Sequence, residues 1–186
     1  SEVRAQTGWW ANKQGFQLGF KSFQFFKIQD LTFQTEFNYV RPYTYSHGSV
    51  QQNYAHFNQA LAHPLGANFM ESVSFLNYQE KKWTYELKFN YAVFGTDTAG
   101  LDFGKNIFLS YSNRPHDYGN KVAQGLRTNL AIADIRVAYL LIPSILLKLE
   151  LGTSYRIQYS IKETTTIPFV YFGIRTTLGN FYSDYL

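Results

Sequence analysis

Residues 83–93 alternate strictly between two kinds of side chain, and this pattern restricts the possible folds more than any other stretch. Large apolar or aromatic residues at Trp83, Tyr85, Leu87, Phe89, Tyr91 and Val93 are separated by Thr84, Glu86, Lys88, Asn90 and Ala92. A period of two indicates a β-strand with two unlike faces. A half-buried strand usually holds about five or six residues, whereas a transmembrane strand needs roughly 9–11. The pattern therefore predicts a strand that crosses a membrane, with its aromatic face toward lipid.

Similar alternation recurs along the chain and predicts seven strands. They cover residues 16–21, 31–39, 70–78, 83–94, 126–140, 145–159 and 165–178. In the fifth strand the apolar phase shifts between Ile132 and Ile135, which predicts a β-bulge there. Pro42 places any extension of the second strand toward Tyr45 at a rim or an edge.

The predicted connections alternate between short and long. The loops 46–69 and 95–124 fall on one side of the sheet, and short turns join the strands on the other side. Outer-membrane barrels have short periplasmic turns and long extracellular loops, so both loops are predicted to be extracellular. The sequence thus favours an all-β fold, an antiparallel up-and-down transmembrane β-barrel. Because such barrels have an even number of strands, this chain is expected to form the C-terminal seven or so strands of a larger barrel.

Charged residues of the strands occupy the phase opposite to the aromatic residues. The predicted lumen-facing charges are Glu36, Glu86, Lys88, Lys148, Glu150, Arg156 and Arg175. The predicted lipid-facing residues are Trp83, Tyr85, Leu87, Phe89, Tyr91, Leu147, Leu149, Leu151, Tyr155 and Ile157. A Lys or Arg that faces lipid at the bilayer midplane costs about 2–4 kcal/mol, so these charges must face inward. Since both signs occur, we expect an ion-paired interior.

The composition excludes several other classes of protein. Aromatic residues make up 19% of the chain, a high share that suits strands and the aromatic girdles of membrane barrels. No apolar run reaches the roughly 18 residues that indicate a transmembrane helix. The net charge of +4 is scattered, so no nucleic-acid partner is predicted. No signal peptide is visible at Ser1, so we expect that a leader was removed or that the chain begins within a longer protein.

Two neighbouring segments, 40–47 and 53–68, carry a specific similarity to a known family. They resemble the capsule-assembly Wzi-like family, and most closely its gliding-motility-associated branch of outer-membrane proteins. Segments 117–120, 124–125 and 172–176 fit the same resemblance, which covers most of the chain. The resemblance implies a larger closed barrel and an outer-membrane location. It also implies a role at the cell surface, where the protein would retain capsular polysaccharide or support gliding together with other outer-membrane or secretion-apparatus proteins.

Three histidines, His47, His56 and His63, lie in the first long loop. Their spacings of nine and seven residues match no helical ligand pair or zinc pattern, so no metal site is predicted. They remain candidate binding residues, together with Asp102 and Asp117 of the second loop. Pro64 suggests a fixed loop shape, and we expect this loop to fold back over the barrel mouth and to narrow or plug the lumen.

The second long loop contains a cluster of oxygen-bearing side chains, namely Asp97, Asp102, Asn106, Asp117 and Asn120. Such residues can hold calcium, but they follow no EF-hand pattern and more often form turns. Exposed aromatic residues near the loops, such as Trp9, Trp10, Tyr111 and Tyr118, could stack on sugar rings or anchor the barrel at the lipid interface.

The sequence shows no G-x-S-x-G nucleophile motif and no phosphate-binding Gly-rich loop, so neither an enzyme nor a cofactor is predicted. The leading hypothesis is a non-enzymatic outer-membrane barrel at the cell surface, with the lipid bilayer as its first partner. It would act in capsule or exopolysaccharide attachment or in gliding motility. One alternative is a porin-like channel for small solutes, and a second is a soluble carbohydrate-binding β-sandwich.

Overall fold

A computed structural model describes residues 2–57, 59–98 and 100–176. The strands are β1 (Gly15–Phe23), β2 (Leu31–Val40), β3 (Ala55–His56), β4 (Gln59–Ala60), β5 (Phe69–Glu80), β6 (Trp83–Thr96), β7 (Leu126–Ile142), β8 (Leu147–Ser160) and β9 (Thr164–Arg175). Helical segments are short: α1 (Glu2–Ala5) and 3₁₀ turns at Phe25–Lys27, Val50–Gln52, Tyr111–Asn113 and Pro143–Ile145. No helix of the described residues is long and apolar enough to cross a membrane.

Seven strands form one antiparallel sheet in the order β1-β2-β5-β6-β7-β8-β9, so each strand pairs with its neighbours along the chain. The short hairpin β3-β4 lies apart in the first loop. The predicted all-β fold with a seven-stranded antiparallel meander is confirmed. A closed barrel is not: within the described residues, β1 and β9 each pair with one strand and leave one edge open.

Several predicted boundaries are wrong. The first long loop spans 41–68 rather than 46–69, because β2 ends at Val40 and Phe69 already belongs to β5. The backbone turns away where Tyr43 adopts a positive φ of 64°. The second loop spans 97–125 rather than 95–124. Residues 177–178 of the predicted last strand lie outside the described residues.

The predicted bulge between Ile132 and Ile135 is also wrong. Both ladders of β7 run without interruption through this stretch, and the register shift falls at Leu140/Ile142. β8 accordingly begins at Leu147, after a turn in which Leu146 has a φ of 51°. Ile132 therefore stays on the same face as the charged residues.

The continuous register separates the sheet into two faces. We call the face that contains Trp83, Leu87 and Ile135 the apolar face, and the face that contains Glu86 and Arg136 the polar face. Charged side chains of the polar face are Lys21, Glu36, Glu71, Glu86, Lys88, Asp134, Arg136, Lys148, Glu150, Arg156 and Arg175. Among the described strands, the apolar face carries charges only at Glu80 and Arg127, which lie near strand ends.

Exposure of the two faces is the reverse of what a soluble sheet shows. On the apolar face, Leu87 is 44% exposed, Leu151 is 56% exposed and Phe172 is 69% exposed. On the polar face, Glu86, Lys88 and Glu150 are half-buried. Since burial of apolar surface drives folding in water, a broad and uncovered apolar face calls for an apolar partner.

The hydrophobic core lies at one end of the polar face, which we call the loop end because both long loops leave the sheet there. Its buried members are Val40, Ala67, Phe69, Ala92, Phe94 and Leu130, and Tyr45, Leu65 and Ile132 pack against them. Gly95 shows how closely the second loop approaches: a Cβ at this position would lie 1.7 Å from the Gln124 carbonyl oxygen. The core thus belongs to the polar face, and at the loop end Val93 and Gly95 of the apolar face are buried as well.

Candidate functional site: the polar face and its loop layer

Charged side chains of both signs line the middle of the polar face. Arg136 of β7 donates to Glu86 of β6, its register partner. Lys88 and Asp134 face each other two register positions further along the same two strands, and they form the next pair on the polar face. A cavity of about 260 Å³ opens between them, lined by Phe75, Asn77, Glu86, Leu87, Lys88, Asp134, Arg136 and Tyr171. Opposite charges on neighbouring strands thus form a polar trough along the polar face.

The trough continues toward the end of the sheet that lies opposite the loop end. Arg175 of β9 lies 3.6 Å from the Glu150 carboxylate, and Lys148 donates to the Thr84 hydroxyl across 3.4 Å. A second cavity of about 150 Å³ is lined by Glu86, Arg136, Ala138, Leu146, Lys148, Glu150 and Arg175. Four of the predicted lumen-facing residues therefore share this cavity.

The remaining predicted charges lie at the flanks. Glu36 accepts hydrogen bonds from Gln17 at 3.0 Å and from Gln34 at 2.7 Å. Arg156 is exposed and donates to Gln158 at 2.9 Å. All ten predicted lipid-facing residues lie on the apolar face, where Leu147, Leu149 and Ile157 are half-buried and the other seven are exposed.

Tyr171 crosses the trough from β9. A Cβ at Gly152 would lie 2.2 Å from Tyr171 Cζ, so the ring rests directly on this glycine. From there the ring reaches the cavity that Arg136 and Phe75 also line. The absence of a side chain at Gly152 is what lets Tyr171 lie flat across β8.

Glu71 anchors the first loop, and the sequence-based prediction missed it. This carboxylate is 6% exposed and accepts from Asn38 at 3.1 Å and from Asn90 at 2.7 Å. His63 Nε2 lies 2.9 Å from Glu71 Oε2, and the His63 ring stacks on Phe69 at 4.6 Å. Glu71 lies on the polar face of β5. The sequence could have indicated this, but the alternation in this strand is too irregular to assign its faces.

The three loop histidines do not converge. His63 lies against the sheet, whereas His47 and His56 are exposed. The backbone N–H of His47 donates to Asn53 Oδ1, and the His56 ring contacts the Phe57 ring at 4.3 Å. In the described part of the chain, no group of three or more His, Cys, Asp or Glu side chains could hold a metal ion.

The two long loops interlock into a single loop layer, which we define as residues 41–68 and 97–125. Asn68 Nδ2 donates to the Gly95 and Gln124 carbonyl oxygens at 3.1 and 2.9 Å, and Gln124 N–H donates to Asn68 Oδ1 at 3.2 Å. Tyr43, fully buried, donates its hydroxyl to the Asp102 carbonyl oxygen at 2.9 Å. Burial raises the pKa of Tyr43 well above its ordinary value, so this hydroxyl stays a donor.

Asp102 and Asp117, both candidate binding residues, differ in their surroundings. Asp102 is 1% exposed; Oδ1 accepts from Gly104 N–H at 2.7 Å, and Oδ2 is buried without a partner. Burial, opposed by the Gly104 hydrogen bond and aided by the charge of Asp97, raises the pKa of Asp102 to about 6. Asp117 is exposed and forms an ion pair with Arg114 at 2.7 Å.

Two of the four aromatic residues considered for sugar stacking or lipid anchoring, Trp10 and Tyr111, are half-buried. Trp10 packs against Tyr111 at 4.5 Å, and the Arg114 guanidinium lies 4.3 Å from the Trp10 ring. Lys13 lies 4.3 Å from the Tyr111 ring and donates to the Ser46 carbonyl oxygen. These contacts fasten the segment before β1 to the loop layer. Tyr118, at 54% exposure, keeps its ring accessible.

Comparisons with known proteins add no identification, since no family model, no curated protein and no solved structure matches the chain.

Proposed function

We propose that the sheet is part of an outer-membrane β-barrel whose apolar face contacts lipid. The observation that carries the proposal is the reversed exposure of the two faces. Large side chains such as Trp83, Leu87 and Phe172 stand uncovered while Glu86 and Glu150 are sheltered. In a bilayer this arrangement is favourable, because hydrocarbon meets the apolar face and the charges stay in a hydrated interior.

The height of the apolar face supports a membrane span. From Trp83 to Val93, β6 rises about 34 Å at roughly 3.4 Å per residue. A tilt of about 40° leaves about 26 Å along the membrane normal, close to the roughly 25 Å apolar band of outer-membrane barrels. The charges at Glu80 and Arg127 fall near the ends of this span, where charge costs little.

The open edges of β1 and β9 support closure with further strands. Unpaired backbone groups in hydrocarbon cost several kcal/mol each, so a membrane sheet must close on itself. We propose that additional strands pair with both edges and complete a larger barrel, in which the polar trough faces the lumen.

The loop layer supports a role at the cell surface. It covers the polar face at the loop end, and its Phe57 and Tyr118 rings are exposed. Such rings suit stacking on sugars. Together with the resemblance of 40–47 and 53–68, this favours a non-enzymatic protein that attaches capsule or exopolysaccharide, or that serves gliding motility alongside other outer-membrane proteins.

Polysaccharide binding can be tested with exposed-ring variants. Phe57→Ser and Tyr118→Ser, in the full-length protein in lipid vesicles, should weaken binding of surface polysaccharide purified from the source cells. Phe26→Ser is the matched control, because Phe26 is 79% exposed at the opposite end of the sheet. Equal binding by all variants, or none by the unmodified protein, would count against polysaccharide attachment and leave the motility role.

A porin-like channel is the second candidate, and the trough cavities favour it. Single-channel conductance of the full-length barrel distinguishes the two functions. If the loop layer plugs the lumen, deletion of residues 54–65 raises conductance from a low value. A large conductance in the unmodified protein would favour the pore. A third candidate, a soluble carbohydrate-binding sandwich, would purify monodisperse without detergent.

A further inference from the structure

Two rows of register partners cross the middle of the polar face from β5 to β9. The first row consists of Asn77, Glu86, Arg136, Gly152 and Tyr171, and the second consists of Phe75, Lys88, Asp134, Ser154 and Phe169. In both rows the charged side chains stand on β6 and β7, and an aromatic ring stands on β9. The trough cavity of about 260 Å³ therefore has a charged floor, with Phe75 on one side of it and Tyr171 on the other.

Tyr171 has a fixed place on its side of the cavity. Neighbouring strands lie about 4.8 Å apart, so the backbone of β9 is about 10 Å from that of β7. The ring reaches across β8 because Gly152 has no side chain, and a Cβ there would lie 2.2 Å from Tyr171 Cζ. The Phe169 ring stacks beside it, with centroids 5.9 Å apart and planes inclined by 26°. The aromatic surface is thus held in position before any ligand arrives, which lowers the entropic cost of binding.

Lys88 and Asp134 present unused hydrogen-bonding groups on the floor of the cavity. They are register partners of opposite charge and both are half-buried, yet within the described part of the chain no ion pair includes either. The ammonium of Lys88 lies 5.8 Å from the Phe75 ring. Both side chains line the cavity, and neither head group is among the fully buried unpaired atoms of the described residues. A donor and an acceptor are therefore accessible to a molecule in the cavity.

We propose that this cavity binds one pyranose ring of a saccharide, a proposal that rests on the barrel proposed above, in which the trough faces the lumen. The C–H face of a sugar packs on an aromatic ring such as Tyr171, because both surfaces are apolar. A sugar hydroxyl both donates and accepts, so neighbouring hydroxyls satisfy Asp134 and Lys88 together.

The charge and the size of the cavity select the ligand further. Its floor carries two cations and two anions, a balance that favours an uncharged ligand. The volume is just below the roughly 300–1,000 Å³ of most ligand pockets, which suits a single sugar ring. A small zwitterion such as glycine would satisfy Lys88 and Asp134 but would leave the Tyr171 ring without a partner.

Saturation-transfer NMR on the full-length protein in detergent micelles tests the site. Glucose, galactose and N-acetylglucosamine serve as separate probes. We expect saturable transfer to the ring protons of at least one of them, with no loss of signal when an equal concentration of glycine is added. Absence of transfer to all three sugars, or displacement by glycine, would overturn the proposal.

Variants of the lining residues locate the binding. Tyr171→Leu keeps an apolar side chain over Gly152 but removes the ring, and should raise the Kd of the bound sugar about threefold to tenfold. Tyr155→Leu is the control, because Tyr155 is 47% exposed on the apolar face of β8, and it should leave the Kd unchanged. If Tyr171→Leu fails to fold, Asp134→Asn replaces it, with a higher Kd again expected. Equal Kd values in all folded variants would overturn the assignment.

Failure of this site can be told apart from failure of the proposed function. The surface-polysaccharide test depends on Phe57 and Tyr118 of the loop layer, which do not line this cavity. A negative result with the three sugars therefore leaves attachment at the surface intact. Purification of the full-length protein without detergent would instead contradict the barrel itself.

Discussion

His63 lies 2.9 Å from Glu71 through Nε2 and Oε2, and this contact joins the first long loop to β5 near the loop end of the sheet. The loop also contacts the sheet through the apolar cluster around Phe69 and through the hydrogen bond from Asn68 to Gly95. Since Glu71 also accepts from Asn38 and Asn90, one buried carboxylate connects two strands and a loop.

Loss of this contact should loosen the loop. His63→Ala removes a hydrogen bond to a charged group and should lower the free energy of unfolding by about 1.5–3 kcal/mol. Urea titration of the full-length protein in lipid vesicles measures the change. His56→Ala is the control, because His56 is exposed and its ring contacts Phe57 of the same loop. Equal stability of both variants would show that His63 does not anchor the loop.

Charge on the apolar face should destabilise the protein in lipid. Leu87→Lys places an ammonium near the middle of the face and should cost about 2–4 kcal/mol in a bilayer. Asn77→Lys is the matched control, because it introduces the same charge on the polar face beside Glu86. Folding yields and urea midpoints in vesicles test both variants. If Leu87→Lys changed neither the folding yield nor the urea midpoint, the proposed lipid contact would be contradicted.

The Glu86–Arg136 pair should stabilise the trough modestly. Its side chains are 35% and 27% exposed, so water screens the pair in part. Arg136→Met should cost about 1–2 kcal/mol, between the values for exposed and buried pairs. A double-mutant cycle with Glu86→Gln isolates the interaction energy from the packing of the arginine stem. An interaction energy of zero would mean that the two charges act independently.

Gly95→Ala should release the second loop. The added Cβ would lie 1.7 Å from a backbone oxygen of Gln124, which no side-chain rotation can relieve. We expect the free energy of unfolding to fall by about 1–3 kcal/mol and proteolysis within residues 97–125 to become faster. Gly173→Ala is the control, because nothing lies within 4 Å of its added Cβ. Wild-type protease resistance of Gly95→Ala would refute this close approach.

Stability should increase at alkaline pH through Lys105. Burial lowers the pKa of Lys105 below its ordinary value of 10.5, so the folded state binds this proton less tightly than the unfolded chain. The free energy of unfolding therefore rises with pH between the lowered pKa and 10.5. Lys105→Met should remove this part of the pH dependence, measured by urea titration, whereas Lys121→Met, at an exposed site, should not. If the free energy of unfolding changed with pH in the same way in all three proteins, the assignment of this pH dependence to Lys105 would be contradicted.

Alternation predicted the seven strands of the large sheet and most of the side chains on its two faces. Each side chain of a strand points opposite to its neighbours, so the positions of Glu86 and Leu87 were readable from the printed sequence. Loop lengths likewise indicated which end of the sheet carries the long connections. These features are local, because they depend on residues a few positions apart.

Only the tertiary structure decided what lies over the polar face. Ile132 and Ile135 suggested a bulge because apolar residues were assigned to the apolar face, yet Ile132 lies on the polar face and packs against the core under the loop layer. Glu71 and His63, or Trp10 and Tyr111, become partners through contacts between distant segments. Burial at the loop end depends on which loop covers which strand, and a period of two carries no information about that long-range packing.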